Sequence, residues 1–319
     1  MSRVGAVVAW VVGVVLGVPA VAITLARLSG ATWKPAVVLQ AAAPLALLAY
    51  AGVLLLLVAV RLAAGRRRWL PLAAVLAVAG LALHAWWEAP LLTGSTPEAA
   101  PGGARLTVMT SNIELGGGDV AAVARQARER HADVLAVEEV TPGALRRLEA
   151  TGLLDELRYR AGEPGSGVHG TMVFSRTPLT DVRRIPTRMG SWAFTVRGWR
   201  VVAVHPSSPE TDHWAADQGV LRDAAAREHP DVMLGDFNAT LDHRPFRQIL
   251  GTGLEDAARL TNAGWQPTWP VGGFGGFPLP PYAAIDHVLL GHDVTAISTA
   301  TVTIPDTDHK ALVAVLAAR

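Results

Sequence analysis

Cysteine is absent from the chain, which excludes disulfides and thiolate metal centres. Acid is almost missing from the first 90 residues, where Glu88 stands alone against seven basic residues. Lysine is scarce throughout, with only Lys34 and Lys310. Arginine carries nearly all the positive charge, which we attribute to coding bias and not to function. What is abundant is apolar: half of the 319 residues are hydrophobic and the mean hydropathy is positive. That is too apolar for one ordinary soluble domain, and the length suggests about two units.

The charge is split along the chain. From residue 91 onward there are 21 basic and 26 acidic residues, a formal charge of −5, behind a basic first part. The first part holds three apolar runs, Val4–Leu25, Ala36–Val60 and Trp69–Trp87. About 20 apolar residues span the hydrocarbon core as a helix, and three runs in series without acid predict three transmembrane helices over residues 1–90. Trp33, Trp69, Trp86 and Trp87 lie at run ends, where indoles favour the interface. Arg61, Arg66, Arg67 and Arg68 fill the second loop and Arg3 precedes the first run. Basic loops stay in the cytoplasm. The expectation is a multi-pass protein of the cell membrane with a cytoplasmic N-terminus and an extracytoplasmic C-terminal domain. The bilayer is its expected partner, and no obligate protein partner is inferred.

Residues 91–104, with Gly94, Ser95, Pro97, Pro101, Gly102 and Gly103, read as a linker. Beyond it, short β-rich runs alternate with a few helices over 105–319. Leu106–Thr110 reads as a strand ending at Ser111-Asn112, and Asp119 can cap a helix over Val120–His131. Asp133–Val140 leads four apolar residues into Glu138 and Glu139, and Pro142 opens a short helix. Leu157–Val168 reads as a polar loop, and 192–196 with 199–204 as a hairpin whose second strand ends at His205. Thr211–Glu228 reads as a helix capped by Thr211 or Asp212. Val232–Leu234 runs into Gly235-Asp236-Phe237-Asn238, where Gly235 is expected to let the backbone turn sharply at the strand end. Gly264–Pro281 is expected to be a surface loop, with Trp265 and Trp269 either shaping an entrance or packing the loop down. Asp286 and His287 lie in another strand, and Asp306-Thr307-Asp308-His309 separates the last two.

Asn112, Glu139, Gly-Asp-Phe-Asn, Ile-Asp-His and Thr-Asp-His, taken in this order, resemble the endonuclease/exonuclease/phosphatase superfamily over about 105–319. The resemblance implies an α+β fold, a four-layer α/β/β/α sandwich of two packed mixed sheets, here preceded by the three transmembrane helices. It departs from the family where Glu138 replaces a frequent Gln, Thr307 a frequent Ser, and Pro206 follows His205. The chemistry it implies is nuclease-like hydrolysis of a phosphodiester by metal-assisted water attack. Mg²⁺ or Mn²⁺ neutralises an anionic ester through hard oxygen ligands. Glu139 and Asp308 suit that role, with Asn112 as polar support. Asp236 and His309 are the expected base and electrostatic partners, Asn238 orients water or phosphate, Asp286 pairs with His309, and His205 donates to a phosphoryl oxygen or the leaving group. The expected substrate is a phosphate ester: nucleic acid, a lipid headgroup or a small phosphodiester. A nuclease needs a basic track, for which Arg183, Arg184, Arg197 and Arg200 are the candidates in an otherwise acidic domain. The alternatives are a lipid or small-molecule phosphatase, and a catalytically silent binding domain.

Overall fold

The computed structural model describes residues 2–65, 67–273 and 275–319; Arg66 of the basic loop lies outside the described residues. The chain divides into two units, one of residues 1–90 with 242–244, the other of Leu91–Leu241 and Pro245–Arg319.

The first unit is helical: α1 (Arg3–Ser29), α2 (Lys34–Ala41), α3 (Ala43–Ala64) and α4 (Leu70–Glu88). Three of these helices, α1, α3 and α4, are long and apolar enough to cross a membrane. At 1.5 Å per residue, α3 and α4 extend roughly 30 Å, the thickness of a hydrocarbon core. The second apolar run is not one helix: it breaks at Ala42 into α2 and α3. Pro44 explains the break, since its ring and missing N–H cannot continue a helix begun at Lys34. Pro35, Pro44 and Pro71 all fall in first turns, where no N–H is needed; Pro19 alone is interior. Small residues set the packing. A Cβ on Gly80 would lie 2.3 Å from the ring of Tyr50, so glycine lets that ring lie against α4. Tyr50 meets Thr24 at 2.8 Å, and Thr24 meets Nε2 of the buried His84 at 3.0 Å. Nδ1 of His84 is 2.9 Å from the carbonyl of Ala43, so Thr24, Tyr50 and His84 form one connected polar group inside this apolar bundle.

A short helix α5 (Pro90–Thr93) leads into the second unit at Leu91. Its elements then run β1 (Arg105–Asn112), α6 (Val120–Glu129), β2 (Val134–Glu138), α7 (Pro142–Ala150), β3 (Tyr159–Pro164), β4 (Gly170–Ser175), β5 (Leu179–Ile185), β6 (Ser191–Val196) and β7 (Trp199–Val204). There follow α8 (Trp214–Glu228), β8 (Val232–Asp236), α9 (Arg244–Leu250), β9 (Glu255–Asp256), α10 (Ala257–Leu260), β10 (Asp286–Leu290), β11 (Val294–Thr303) and β12 (Lys310–Ala318). They build two six-stranded mixed sheets, ordered β11-β12-β1-β2-β4-β3 and β5-β6-β7-β8-β10-β9. Strand alternation decides which side chain enters which layer. Val108, Val134 and Leu316 pack inward against Val201, Leu234 and Val288 of the other sheet. Met109, Leu135 and Val313 point the other way, onto Val123 and Ala127 of α6 and Leu148 of α7. The result is the expected four-layer α/β/β/α sandwich.

Several local expectations fail. Residues 157–168 are not all loop: Tyr159–Pro164 is an edge strand paired to β4, and its polarity reflects an exposed edge. The helix of α8 starts at Trp214 behind His213, without a side-chain cap from Thr211 or Asp212. Residues 91–104 do not run free. Thr295 donates to the carbonyl of Pro97 and Ala100 N–H to that of Ala318, which ties the segment along the sheet.

Candidate active site

Sheet topology brings the polar residues to one rim. In the first sheet β1 and β2 are parallel, so Asn112 and Glu139 emerge at the same end. In the second sheet β7 and β8 are parallel and deliver His205 and Asp236 together. β10 and β12 run antiparallel to these and begin where the others finish, with Asp286 opposite Asp236 and His309 just before Lys310. Two of the residues stand in left-handed backbone, Glu139 at φ 61° and Asn238 at φ 50°. Such conformations cost a non-glycine residue of order 1 kcal/mol and concentrate at functional sites.

Gly235 does not turn the chain. The strand continues through Asp236, and glycine is required because φ is +141° and a Cβ would come 2.1 Å from the carbonyl oxygen of Val204 on β7. After the strand, the Phe237-Asn238 backbone is held by α8. Gln218 donates to the carbonyl of Phe237 at 2.6 Å and the Trp214 indole to that of Asn238 at 2.8 Å. Asn238 donates its side-chain amide to the carbonyl of Pro206 at 3.1 Å, and its N–H to Asp236 Oδ1 at 2.7 Å.

Asp236 Oδ2 is the point on which the site converges. Asn112 Nδ2 lies 3.0 Å from it, and Nε2 of both His205 and His309 lies 3.8 Å away. The same Asn112 amide donates to Glu139 Oε1 at 3.1 Å, and Nε2 of His205 is 3.9 Å from that oxygen. Asn112 Oδ1 accepts the N–H of Glu114. His309 turns Nδ1 to Asp286 Oδ2 at 2.9 Å, while its Nε2 is 3.8 Å from Asp308 Oδ1. Asp308 is fixed from both sides: its Oδ2 accepts the Trp269 indole N–H at 2.8 Å and its backbone N–H donates to Glu114. Thr307 donates to the carbonyl of Asn112 at 2.9 Å, fastening the turn before β12 to the end of β1. The eight residues singled out from the sequence therefore gather in one cluster, seven of them joined by hydrogen bonds or charge pairs and the eighth, His205, lying 3.8 Å from Asp236 Oδ2. Trp269 and Glu114 were not singled out as site residues, and nothing local distinguishes Trp269 from Trp265.

The electrostatics follow from burial among carboxylates. Burial alone would lower the His309 pKa, but Asp286, Asp236 and Asp308 outweigh it and push the imidazole up to about 10. Burial, with the charge of Asp286, raises Asp236. Burial, and then the charge of His309, push His205 down to about 3, so its imidazole is neutral. Neither ring nitrogen of His205 has a hydrogen-bond partner among the described residues, although the side chain is fully buried. Glu138 is pushed up by burial to about 8 and accepts the Thr110 hydroxyl at 2.7 Å. A protonated glutamate offers a donor and an acceptor, as a glutamine amide does, and Glu138 Oε2 has no hydrogen-bond partner among the described residues.

Asp236, Asp286 and His309 bring ligand atoms within 4.8 Å of one another, a spacing that could hold a metal ion. Asp286 gives Oδ2 to His309 and keeps a buried Oδ1 with no hydrogen-bond partner among the described residues, so oxygen donors are available from Asp286 as well as from Glu139, Asp236 and Asp308. Hard oxygens gathered round one amide, with the unpartnered Nε2 of His205 at 3.8 and 3.9 Å from two of them, fit a divalent cation such as Mg²⁺ or Mn²⁺. A groove beside the cluster is lined by Glu114, Trp269, Gly272, Asp306 and Asp308, with no arginine or lysine among the described lining residues. Three of the four arginines that could form a basic track are paired at the surface: Arg183 with Glu228, which Arg227 shares, Arg197 with Asp133 and Arg200 with Asp231.

With this geometry in place, comparison with known proteins defines the class. The profile of the Endonuclease/Exonuclease/phosphatase family matches residues 109–309, and the chain belongs to that family. Among solved structures, it is similar to an endonuclease/exonuclease/phosphatase from Beutenbergia cavernae, with 21% identity, 67% of this chain and 72% of that one covered, and a TM-score of 0.51. The 3′ phosphatase NExo from Neisseria, bound to product DNA hairpin, aligns at 19% identity over 66% of this chain and 98% of that one, with a TM-score of 0.53. An AP endonuclease from Archaeoglobus fulgidus aligns at 14% identity over 66% and 98%, with a TM-score of 0.56. These likenesses show the shared fold. A search of curated proteins gave no match.

Proposed function

We propose that the chain is a membrane-anchored phosphoesterase, dependent on a divalent cation, that hydrolyses a compact phosphodiester. The observation that carries this reading is the convergence of Asn112, His205 and His309 on one oxygen of Asp236 at the rim of both sheets. Glu139 and Asp308, supported by Asn112, would hold Mg²⁺ or Mn²⁺, which when bound neutralises the ester and activates water. Asp236 accepts the proton of the attacking water, its raised pKa matching that task. Asn238, locked by Pro206 and α8, orients the water or the phosphate. His309, kept charged by Asp286, stabilises the phosphoryl oxygens. His205 donates its ring N–H to a phosphoryl oxygen or the leaving oxygen. The acidic groove and the paired arginines favour a lipid headgroup or small diester over a long nucleic-acid backbone.

The test is hydrolysis of bis(p-nitrophenyl) phosphate by the full chain. Activity should require Mg²⁺ or Mn²⁺, vanish with chelator, and fall by orders of magnitude in Asp236→Ala and His309→Ala without loss of fold. Unchanged turnover in either variant removes the reading and leaves a binding domain. The proposed orientation places this unit outside the cytoplasm; an active cytoplasm-only reporter fused after Arg319 would refute it.

A further inference from the structure

The arginine-rich end of the helical unit holds two apolar clefts. One, of about 650 Å³, lies between α3 and α4 and combines Leu57, Val58 and Pro71 with Arg61, Arg67 and Arg68. The other, of about 430 Å³, lies between α1 and α3, with Trp10 and Trp69 at its edges, and shares Arg67 with the first. Both volumes fall in the range of ligand pockets, roughly 300–1,000 Å³. No carboxylate occurs before Glu88, which stands at the other end of α4. The helices thus offer these exposed guanidiniums no counter-charge, which leaves them available to an anion from outside.

Two apolar clefts joined at one arginine match a molecule with two hydrocarbon chains and one anionic phosphate. We infer that this end of the helical unit is a binding site for an anionic phospholipid of the surrounding bilayer. One acyl chain lies in each cleft, and the phosphate is held by Arg61, Arg67 and Arg68. The inference rests on the membrane reading of the helices and is independent of the hydrolytic one.

The experiment is native mass spectrometry of the full chain released from neutral detergent micelles, with added palmitoyl-oleoyl phosphatidylglycerol or phosphatidylcholine. The phosphatidylglycerol adduct should form at about tenfold lower added lipid than the phosphatidylcholine adduct. Arg61→Gln/Arg67→Gln/Arg68→Gln should abolish that preference, and the corresponding triple lysine variant should keep most of it. Ala74→Trp, which fills the larger cleft and leaves every charge in place, should weaken retention of phosphatidylglycerol. Equal retention of the two lipids by the unaltered chain overturns the site, as does undiminished retention in Ala74→Trp. Recovery of the chain in the soluble fraction without detergent overturns the membrane reading itself, an outcome distinct from loss of lipid preference in a membrane-extracted protein.

Discussion

Replacing Asp286 with Asn isolates the charge that sustains His309. Asparagine keeps an oxygen able to accept from His309 Nδ1, now at 2.9 Å from Asp286 Oδ2, so the ring keeps its orientation and loses only its nearest anion. The imidazole stands at about 10 against an ordinary 6.5, with burial pulling it down and Asp286 leading the groups that lift it. Asp236 and Asp308 remain at 3.8 Å from Nε2, so the rise is not abolished. Three carboxylates share the lift, and loss of the one that is hydrogen-bonded should lower the pKa by more than about one unit, or ~1.4 kcal/mol.

The sign is definite. A raised histidine pKa contributes stability that is fully present below about pH 6.5 and is lost as pH rises through about 10. In Asp286→Asn that loss, and any decline in turnover that depends on the imidazolium, moves to lower pH. The assay is imidazole ¹⁵N chemical shift against pH in chelator-treated protein labelled at histidine, with the pH–rate profile alongside. A His309 titration unmoved by the substitution would refute the assignment of Asp286 as its principal partner.

Gly235→Ala should destabilise the second unit by roughly 3 kcal/mol or more, because the added Cβ strikes the Val204 carbonyl and φ is unsuited to it. Urea unfolding followed by tryptophan fluorescence measures this. Asp256→Asn should cost about 1–3 kcal/mol at neutral pH, since asparagine keeps an oxygen toward His287 Nδ1 but removes the carboxylate charge behind this buried hydrogen bond at 2.7 Å. Burial alone would raise the Asp256 carboxyl, but the His287 hydrogen bond and charge hold it below its usual value. Its contribution is therefore present above about pH 4 and lost as pH falls further, and the unaltered and Asp256→Asn chains should converge in stability at acid pH.

The rim was legible because each polar residue follows or interrupts an apolar strand: Asn112 after β1, Glu139 after β2, His205 after β7 and Asp236 closing β8. Alternation fixed which strand residues enter the core, so the two-sheet architecture was accessible from pattern together with the family resemblance. What pattern could not supply is which distant groups meet. Trp269 reaches Asp308, Asp256 reaches His287, and the buried Asp217 carboxylate gathers the N–H and hydroxyl of Ser207 with the N–H of Arg188. None of these pairs shares a local period. Gly235 shows a related limit. Its residue type signalled a special backbone position, yet a sharp turn and a close approach of two strands both call for glycine. Only the neighbouring strand β7, brought alongside by a crossover through α8, decides between them. The arginines of β5 and β7 fail for the same reason. A basic pair reads as a track in one dimension, whereas the fold sets Glu228 and Asp231 beside it and weakens the field a polyanion would meet.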